Sequence, residues 1–347
     1  MPANPMSHPP LNPTPAHHGL PDEDIQAVMQ WLYARGRRSP HTFAAYKREA
    51  EKLLNWAAGE GKTLRDLSIQ DIGRYLHHLE HDKAAKPSTV MYSRRVLNQM
   101  YQYLCDLGYL ARNAVKLTPL PAVPQEEVPT KFLDLDAWIW LWKWLTARPA
   151  ANRRQTAVKV RDRWLFALVY HTGMRREEVA KASMNDLQYR NGRWTLRVLG
   201  KRNKVRHVSI HSVLLQELKQ YRTALGLPEL PDSQENFGLI IPLKGDKSRR
   251  LTPRAIGLMV HECREAALAD CDDDPIRIQL INMSTHWLRH TNTTHRYMAG
   301  ASTETIQDEQ GHADPKTTRI YLKTLPGQRQ QDAEKLAELH ANAVKDS

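Results

Sequence analysis

Five side chains in the second half of this 347-residue chain are of types that suit phosphodiester chemistry. They are Arg175 in HTGMRREEV, His286 and Arg289 in THWLRH, His312 in EQGHADP and Tyr321 in TRIYLK. A phosphodiester carries a full negative charge, and its transition state spreads more charge over the non-bridging oxygens. Planar, two-pronged guanidinium groups answer that charge and stay cationic at any relevant pH. Tyrosine is among the side chains able to form a covalent intermediate. Its ordinary pKa is about 10, so it needs surrounding positive charge or a base to lose its proton during attack. Histidine, titrating near neutrality, suits either a hydrogen bond to a phosphate oxygen or that proton transfer.

These residues need elements to hold them. His286 and Arg289 stand at i and i+3, one face of a helix. Arg176 beside Arg175 points elsewhere and reads as structural or as a backbone contact; His290 is out of phase and reads as packing or capping. The segment RWTLRVLGKRNKVRHVSIH alternates around a Gly-basic turn, which predicts a β-hairpin or a three-stranded sheet. A flexible ammonium at that turn, Lys201, is suited to enter a groove and protonate a leaving oxygen. The neighbouring Arg202, Lys204 and Arg206 read as phosphate contacts. Arg94 and Arg95 in one helix, and Lys247, Arg249, Arg250 and Arg254 in KGDKSRRLTPRAI, read the same way, positioning a backbone without specifying sequence. No carboxylate cluster of the kind a two-metal site needs is visible. The expectation is therefore no metal and no cofactor.

In the blocks TGMRREEV, GKRNKVRHVSI, HWLRHT and GHADPKTTRIY, and in their order and spacing, the chain resembles the tyrosine recombinases of the phage integrase and Xer type. The likeness runs from about Leu20 to about Leu325. It implies a helical SAM-like core-binding domain followed by a mixed α/β catalytic domain, mainly α with a small antiparallel β-sheet. It implies catalysis by Arg175, Lys201, His286, Arg289, His312 and Tyr321, with Glu178 orienting Arg175, and it selects Lys201 over Lys204. The implied reaction is strand cleavage through a 3′-phosphotyrosyl link with a free 5′-hydroxyl, rejoined without ATP. The implied partners are double-stranded DNA bearing attachment sites, four protomers assembled on it, and accessory DNA-bending proteins. Two other readings stay open: strand relaxation of the type IB topoisomerase kind, and a DNA-binding architectural protein that does not cleave. The family has apolar residues just before its GH dipeptide, whereas this chain has Glu309 and Gln310, which bears on how that helix packs.

Composition agrees with a polyanionic partner. Net charge is +12, and phosphates release counterions when Lys and Arg bind them. A hydrophobic share of 41% is enough for real cores, which excludes a disordered chain. Three cysteines, Cys105, Cys263 and Cys271, with no ligand-like spacing, read as packing residues rather than a disulfide or zinc framework. No apolar run reaches membrane-spanning length and no signal pattern opens the chain, so the expectation is a bacterial cytoplasmic protein, nucleoid-associated when bound to DNA.

Residues 1–20, rich in Pro, His and Asn, read as a disordered leader. Helical periodicity then runs over 21–117, predicting a four- or five-helix domain. Four prolines between 118 and 130 predict a stiff linker. The catalytic domain is expected over 131–327, and 328–347 as a C-terminal helix that docks on its own domain or on a neighbour. Within the second domain the Trp-rich WIWLWKWL reads as a core helix, and the acidic DCDDDP segment as a solvated loop.

Overall fold

The computed structural model describes residues 22–36, 39–119, 132–200 and 204–311. The leader, nearly all of the Pro-rich segment, Lys201, Arg202, His312, Tyr321 and the C-terminal segment lie outside the described residues. The chain divides into two units, Met1–Glu126 and Glu127–Ser347. No helix among the described residues is long and apolar enough to cross a membrane.

Among the described residues the first unit is all helical: α1 (Asp22–Gly36), α2 (Pro40–Gly59), α3 (Ile69–His81), α4 (Pro87–Asp106) and the single turn α5 (Ala114–Leu117). Each long helix buries one stripe. Trp31 of α1, Leu53 and Leu54 of α2, Ile72 and Tyr75 of α3, and Leu97, Met100 and Tyr101 of α4 share one core. Fully burying such a side chain contributes about 1.5–3 kcal/mol. Trp31 stacks on Tyr46 with ring centroids 5.3 Å apart. Local signals fix the helix starts. Ser39 accepts from the amide of Thr42, with Pro40 in the first turn of α2. Ser68 and Asp71 form a reciprocal capping box at the start of α3. Lys62, then Arg74 and Ser68, hold the Asp71 carboxyl far below the usual carboxylate range. Buried Asp24 accepts from the Leu64 amide at 2.9 Å and the Tyr109 hydroxyl at 2.5 Å, tying α1 to the turns that follow α2 and α4.

The second unit opens with α6 (Leu135–Ala147), α7 (Arg153–Thr172) and the short α8 (Arg176–Lys181). Strands β1 (Leu187–Arg190), β2 (Arg193–Leu199) and β3 (Val205–Ile210) follow, then α9 (Ser212–Ala224), α10 (Pro253–Ala269), α11 (Asp274–Ile281), α12 (Thr285–Met298) and α13 (Thr303–Gln310). The strands form one antiparallel sheet in the order β1-β2-β3. α7 is central. Its residues Trp164, Leu165, Phe166, Ala167, Leu168 and Val169 are buried in succession, as in a helix covered on all sides, and it packs against α6, α9, α10 and α12. The Trp-rich α6 is a core helix, with Trp138, Leu141 and Leu145 inward and Trp138 stacked on Tyr170 at 3.8 Å. Fully buried Arg222 of α9 clamps the following loop through both Glu235 oxygens and the carbonyls of Pro228 and Leu230.

The acidic segment is not simply a solvated loop. Asp273 caps α11 by accepting from the amide of Ile276 at 3.0 Å, with Asp274 in the first turn. Asp270 accepts from the indole N–H of Trp144, and Cys271 is buried. Negative charge at a helix start is favoured by the helix dipole, which accounts for acid at this place.

Half-buried His171 sets an expected acid response for this unit. His171 sits edge-on to His211, centroids 4.5 Å apart. Burial, with His211 adding to it, pushes its pKa down to about 4. A lowered histidine pKa means that the folded state favours the neutral ring. The contribution to stability is complete above about pH 6.5 and declines as pH falls from there toward 4. The unfolding midpoint in urea should therefore drop between pH 7 and pH 4.5, and His171→Phe should flatten part of that slope.

Candidate active site

The described part of the site is built by three helix ends and a hairpin meeting beside Gly173. α7 stops there because Gly173 adopts a left-handed conformation, φ 59°, which residues with a Cβ rarely take. The chain turns directly into Arg175, the N-cap of α8. Glu178, at the third position of α8, accepts from the Arg175 backbone N–H at 2.8 Å and from its guanidinium at 3.0 Å. Glu178 is thus held by the start of α8 rather than simply one turn along a continuous helix from Arg175.

A second cation lies on the other side of Glu178. Arg206 of β3 donates to both carboxylate oxygens at 3.0 and 2.7 Å, and through Nε to the carbonyl of Glu309 at 2.6 Å. Its side chain is only 11% exposed. This corrects the expectation that Arg206 contacts phosphate, since every nitrogen of its guanidinium is committed within the protein. The cause is sheet register. Val198 pairs with Arg206 and Leu196 with Val208, and Leu196, Val198 and Val208 are buried. Arg206 therefore belongs to the inward face of the alternation. Burial pushes the Glu178 carboxyl up, but Arg206 and then Arg175 outweigh it and hold it below the ordinary range.

Arg289 arrives from α12 and is buried, at 3% exposure. It donates to the carbonyl of Gly173 and, at 2.9 Å, to that of Gln310. Arg175 reaches the same Gln310 carbonyl at 3.4 Å and the Gly311 carbonyl at 3.4 Å. The peptide oxygens of Glu309, Gln310 and Gly311, at the C-terminal end of α13, are thus taken by Arg206, Arg289 and Arg175. A helix C-terminus leaves its last carbonyls without intrahelical donors and carries the negative end of the dipole, so it is a natural partner for guanidinium groups. The chain runs straight on from Gly311 to His312. His286 is exposed one turn before Arg289, its ring 4.0 Å from that of buried His290.

The hairpin closes through the Gly200 amide donating to the Lys204 carbonyl at 2.8 Å. A Cβ at Gly200 would lie 3.3 Å from Arg206 Nη1 and 3.5 Å from Glu178 Oε1, so its lack of a side chain lets the base of this turn approach the ion pair. The described structure therefore brings together Arg175, Glu178 and Arg289. Lys201, His312 and Tyr321 fall outside the described residues.

Of the remaining cations, Arg94 is half-buried and donates to the Thr118 carbonyl, and Arg250 donates to the Lys181 carbonyl and to Asn236. Both act as ties within their own units. Lys204, Lys247, Arg249 and Arg254 are exposed, and exposed Arg95 lies over the Tyr92 ring at 5.4 Å. Arg176 packs across Gly257 of α10, where a Cβ would come within 2.9 Å of its guanidinium, in line with a structural role.

Two family models match the sequence: the phage integrase family over residues 148–327, and the N-terminal SAM-like domain of phage integrases over residues 26–108. The chain belongs to the phage integrase family, the tyrosine recombinases. Among curated relatives it is similar to tyrosine recombinase XerC of Pelobacter propionicus, 28% identical, covering 86% of this chain and 90% of the relative. It is also similar to tyrosine recombinase XerD of Rhizobium meliloti, 27% identical, covering 87% and 90%. Among solved structures the fold is similar to the XerH site-specific recombinase bound to palindromic difH substrate, with TM-score 0.65 and 19% identity, covering 91% of this chain and 85% of that one. The fold is likewise similar to a lambda integrase dimer bound to a COC′ core site, with TM-score 0.60 and 15% identity, covering 86% and 76%. The tyrosine recombinase is mainly helical with one small antiparallel sheet, and it is an enzyme of DNA recombination.

Residue-by-residue reading of the sequence missed the ion-pair role of Arg206, the left-handed turn at Gly173 and the buried polar residues Asn292 and Thr293. The signal for Arg206 was present, two residues from Val208 in an alternating strand.

Removing one partner of a buried ion pair costs about 3–5 kcal/mol. Arg206→Met should accordingly lower stability by roughly 3 kcal/mol, read from urea unfolding at pH 7. The depressed pKa of Glu178 means its stabilising contribution is present above the ordinary carboxylate range and fades as pH falls through the folded value. With Arg206 gone that value rises, so acid unfolding of Arg206→Met should begin at a higher pH than in the parent.

Proposed function

We propose that this chain is a site-specific recombinase that cuts and rejoins DNA through Tyr321. The observation that carries the proposal is the convergence of Arg175 and Arg289, from separate elements, on one carbonyl that lies two residues before His312. Two guanidinium groups held this way offer fixed positive charge to the non-bridging oxygens of a scissile phosphate, without a proton to gain or lose.

In this reading the Tyr321 hydroxyl oxygen attacks phosphorus and the bond to the 5′-oxygen breaks. His286 accepts the phenolic proton or hydrogen-bonds a phosphate oxygen. Lys201, from the hairpin turn, protonates the departing 5′-oxygen, and His312 hydrogen-bonds the phosphate. The product is a 3′-phosphotyrosyl link and a free 5′-hydroxyl. A 5′-hydroxyl from another strand reverses the step, so the energy of the bond is conserved and neither ATP nor a metal enters the scheme. Glu178 keeps Arg175 oriented. Residues 21–117 form the core-binding domain and 131–327 the catalytic domain, joined by the linker at 118–130. The substrate is double-stranded DNA with defined recombination sites, on which four copies assemble with the help of bending proteins. The segment 328–347 is the candidate contact between copies. Exposed Lys204, Lys247, Arg249, Arg254 and Arg95, with Arg202 of the hairpin turn, are the candidate backbone contacts.

The test is covalent capture. The full chain is mixed with a pool of nicked duplexes carrying randomised half-sites, with chelator present, and then denatured. An adduct that resists denaturation, and that Tyr321→Phe abolishes while retaining DNA affinity, is expected. No adduct from DNA that the protein binds would transfer the assignment to a non-cleaving binding protein.

A further inference from the structure

The C-terminal end of α13 presents its carbonyls to three arginines, yet α13 has little apolar surface to hold it there. Of its eight residues only Ile306 and Gln310 are buried, and Gln310 is a polar side chain at 0% exposure. Its amide nitrogen donates to Asn292 Oδ1 at 2.7 Å and to Thr293 Oγ1 at 2.8 Å, both on α12. Asn292 in turn donates through Nδ2 to the Tyr170 carbonyl of α7 at 2.6 Å. The amides are closely fitted against the turn that leads to Arg175. A Cβ at Gly173 would stand 2.8 Å from Asn292 Oδ1 and 2.9 Å from Gln310 Nε2. The remaining fasteners of α13 are also polar: Glu309 pairs with Arg296 of α12 and receives Arg206 on its carbonyl.

We infer that Gln310, with Asn292 and Thr293, forms a buried amide latch that positions the arginine pair. By fastening the end of α13 to α7 and α12, the latch fixes where the Gln310 and Gly311 carbonyls lie. Those carbonyls set the direction of the Arg175 and Arg289 guanidiniums. These three are positioning residues, acting through the arginines, and the inference rests on the function proposed above. The latch is also directional. Tyr170 supplies only an acceptor, so Asn292 must turn its NH₂ toward α7 and its oxygen toward α13, and Gln310 must then donate. An apolar side chain at either place alone leaves a buried polar atom of the other without its partner, whereas apolar side chains at both places remove the mismatch between them.

That asymmetry defines the experiment. Hydrogen exchange of the full chain, without DNA, is followed in peptides covering 303–311, 285–298 and 153–172 for Gln310→Met, Asn292→Leu and the double variant. Each single substitution should speed exchange in 303–311 by roughly tenfold to a hundredfold, with α7 and the rest of α12 still protected. The double variant should open far less than the product of the two single effects. Covalent capture on the same nicked duplexes should fall in the single variants at unchanged DNA affinity, and recover in the double. The latch is overturned if the single effects simply multiply in the double variant. It is also overturned if α7 loses protection as much as α13, which marks general loosening of the domain. Exchange reads the latch without any catalysis. Failure of the parent to form an adduct would therefore count against DNA cleavage alone, leaving the exchange data to decide the latch.

Discussion

Three guanidinium groups share one small region of this protein, and their mutual repulsion is the constraint around which the neighbourhood is arranged. Two kinds of negative charge stand among them. One is the full charge of Glu178, clasped by Arg206 on one side and Arg175 on the other. The other is the partial charge of the last carbonyls of α13, shared by Arg206, Arg289 and Arg175. A carboxylate buried beside a single arginine would neutralise it. One carboxylate among three arginines leaves a net positive site, which is what an anionic substrate needs. Peptide oxygens serve well for the remainder, because they accept hydrogen bonds and orient the donors without cancelling a whole charge. Arg206, with every guanidinium nitrogen committed within the protein, is the structural member of the set, and Arg175, with its side chain 35% exposed, is the most open to solvent.

Much of this was legible in the residues. The alternation around the basic turn after β2 and the helical spacing of His286 and Arg289 each announce a local structure, and the sheet and α12 are found there. The family motifs pointed to Arg175, Glu178 and Arg289 because those positions combine residue type with order along the chain, and the structure brings the three together. Arg206 was misread for a physical reason. In a run crowded with Lys and Arg, charge suggests solvent, whereas strand alternation places position 206 with Val208 on the inside. Where the two signals conflict, burial is decided by whether an acid waits there, and Glu178 lies 28 residues earlier in the chain. The acidic segment before α11 is exposed at Asp270, Asp272, Asp273 and Asp274, as its composition suggests, and what composition does not show is that Asp273 also caps the helix.

The polar contacts between α12 and α13 were the least legible part. Asn292, Thr293 and Gln310 each look like surface residues in isolation, and nothing in local periodicity pairs a residue of one helix with a residue eighteen positions on. Only the interior position of both, beside a glycine that has no Cβ, turns them into a unit. The motif did carry a trace of it, because the family resemblance leads one to expect an apolar side chain where Gln310 stands.

An amide in place of an apolar side chain changes what the contact can do. Apolar packing is non-directional and tolerates small shifts or rotations at modest cost, so it holds a helix without fixing its last carbonyls closely. A hydrogen-bonded amide weakens steeply with misalignment, and its chain of donors and acceptors has a single sense. Here that sense begins at the Tyr170 carbonyl of α7, passes through Asn292 and ends at Gln310, whose own carbonyl then receives Arg289 and Arg175. The same residue is therefore fastened through its side chain and used through its backbone. The central helix α7 thereby sets the position of the arginines by two routes. One is the turn at Gly173 that leads to Arg175. The other is the amide chain that fixes the oxygens to which both arginines point.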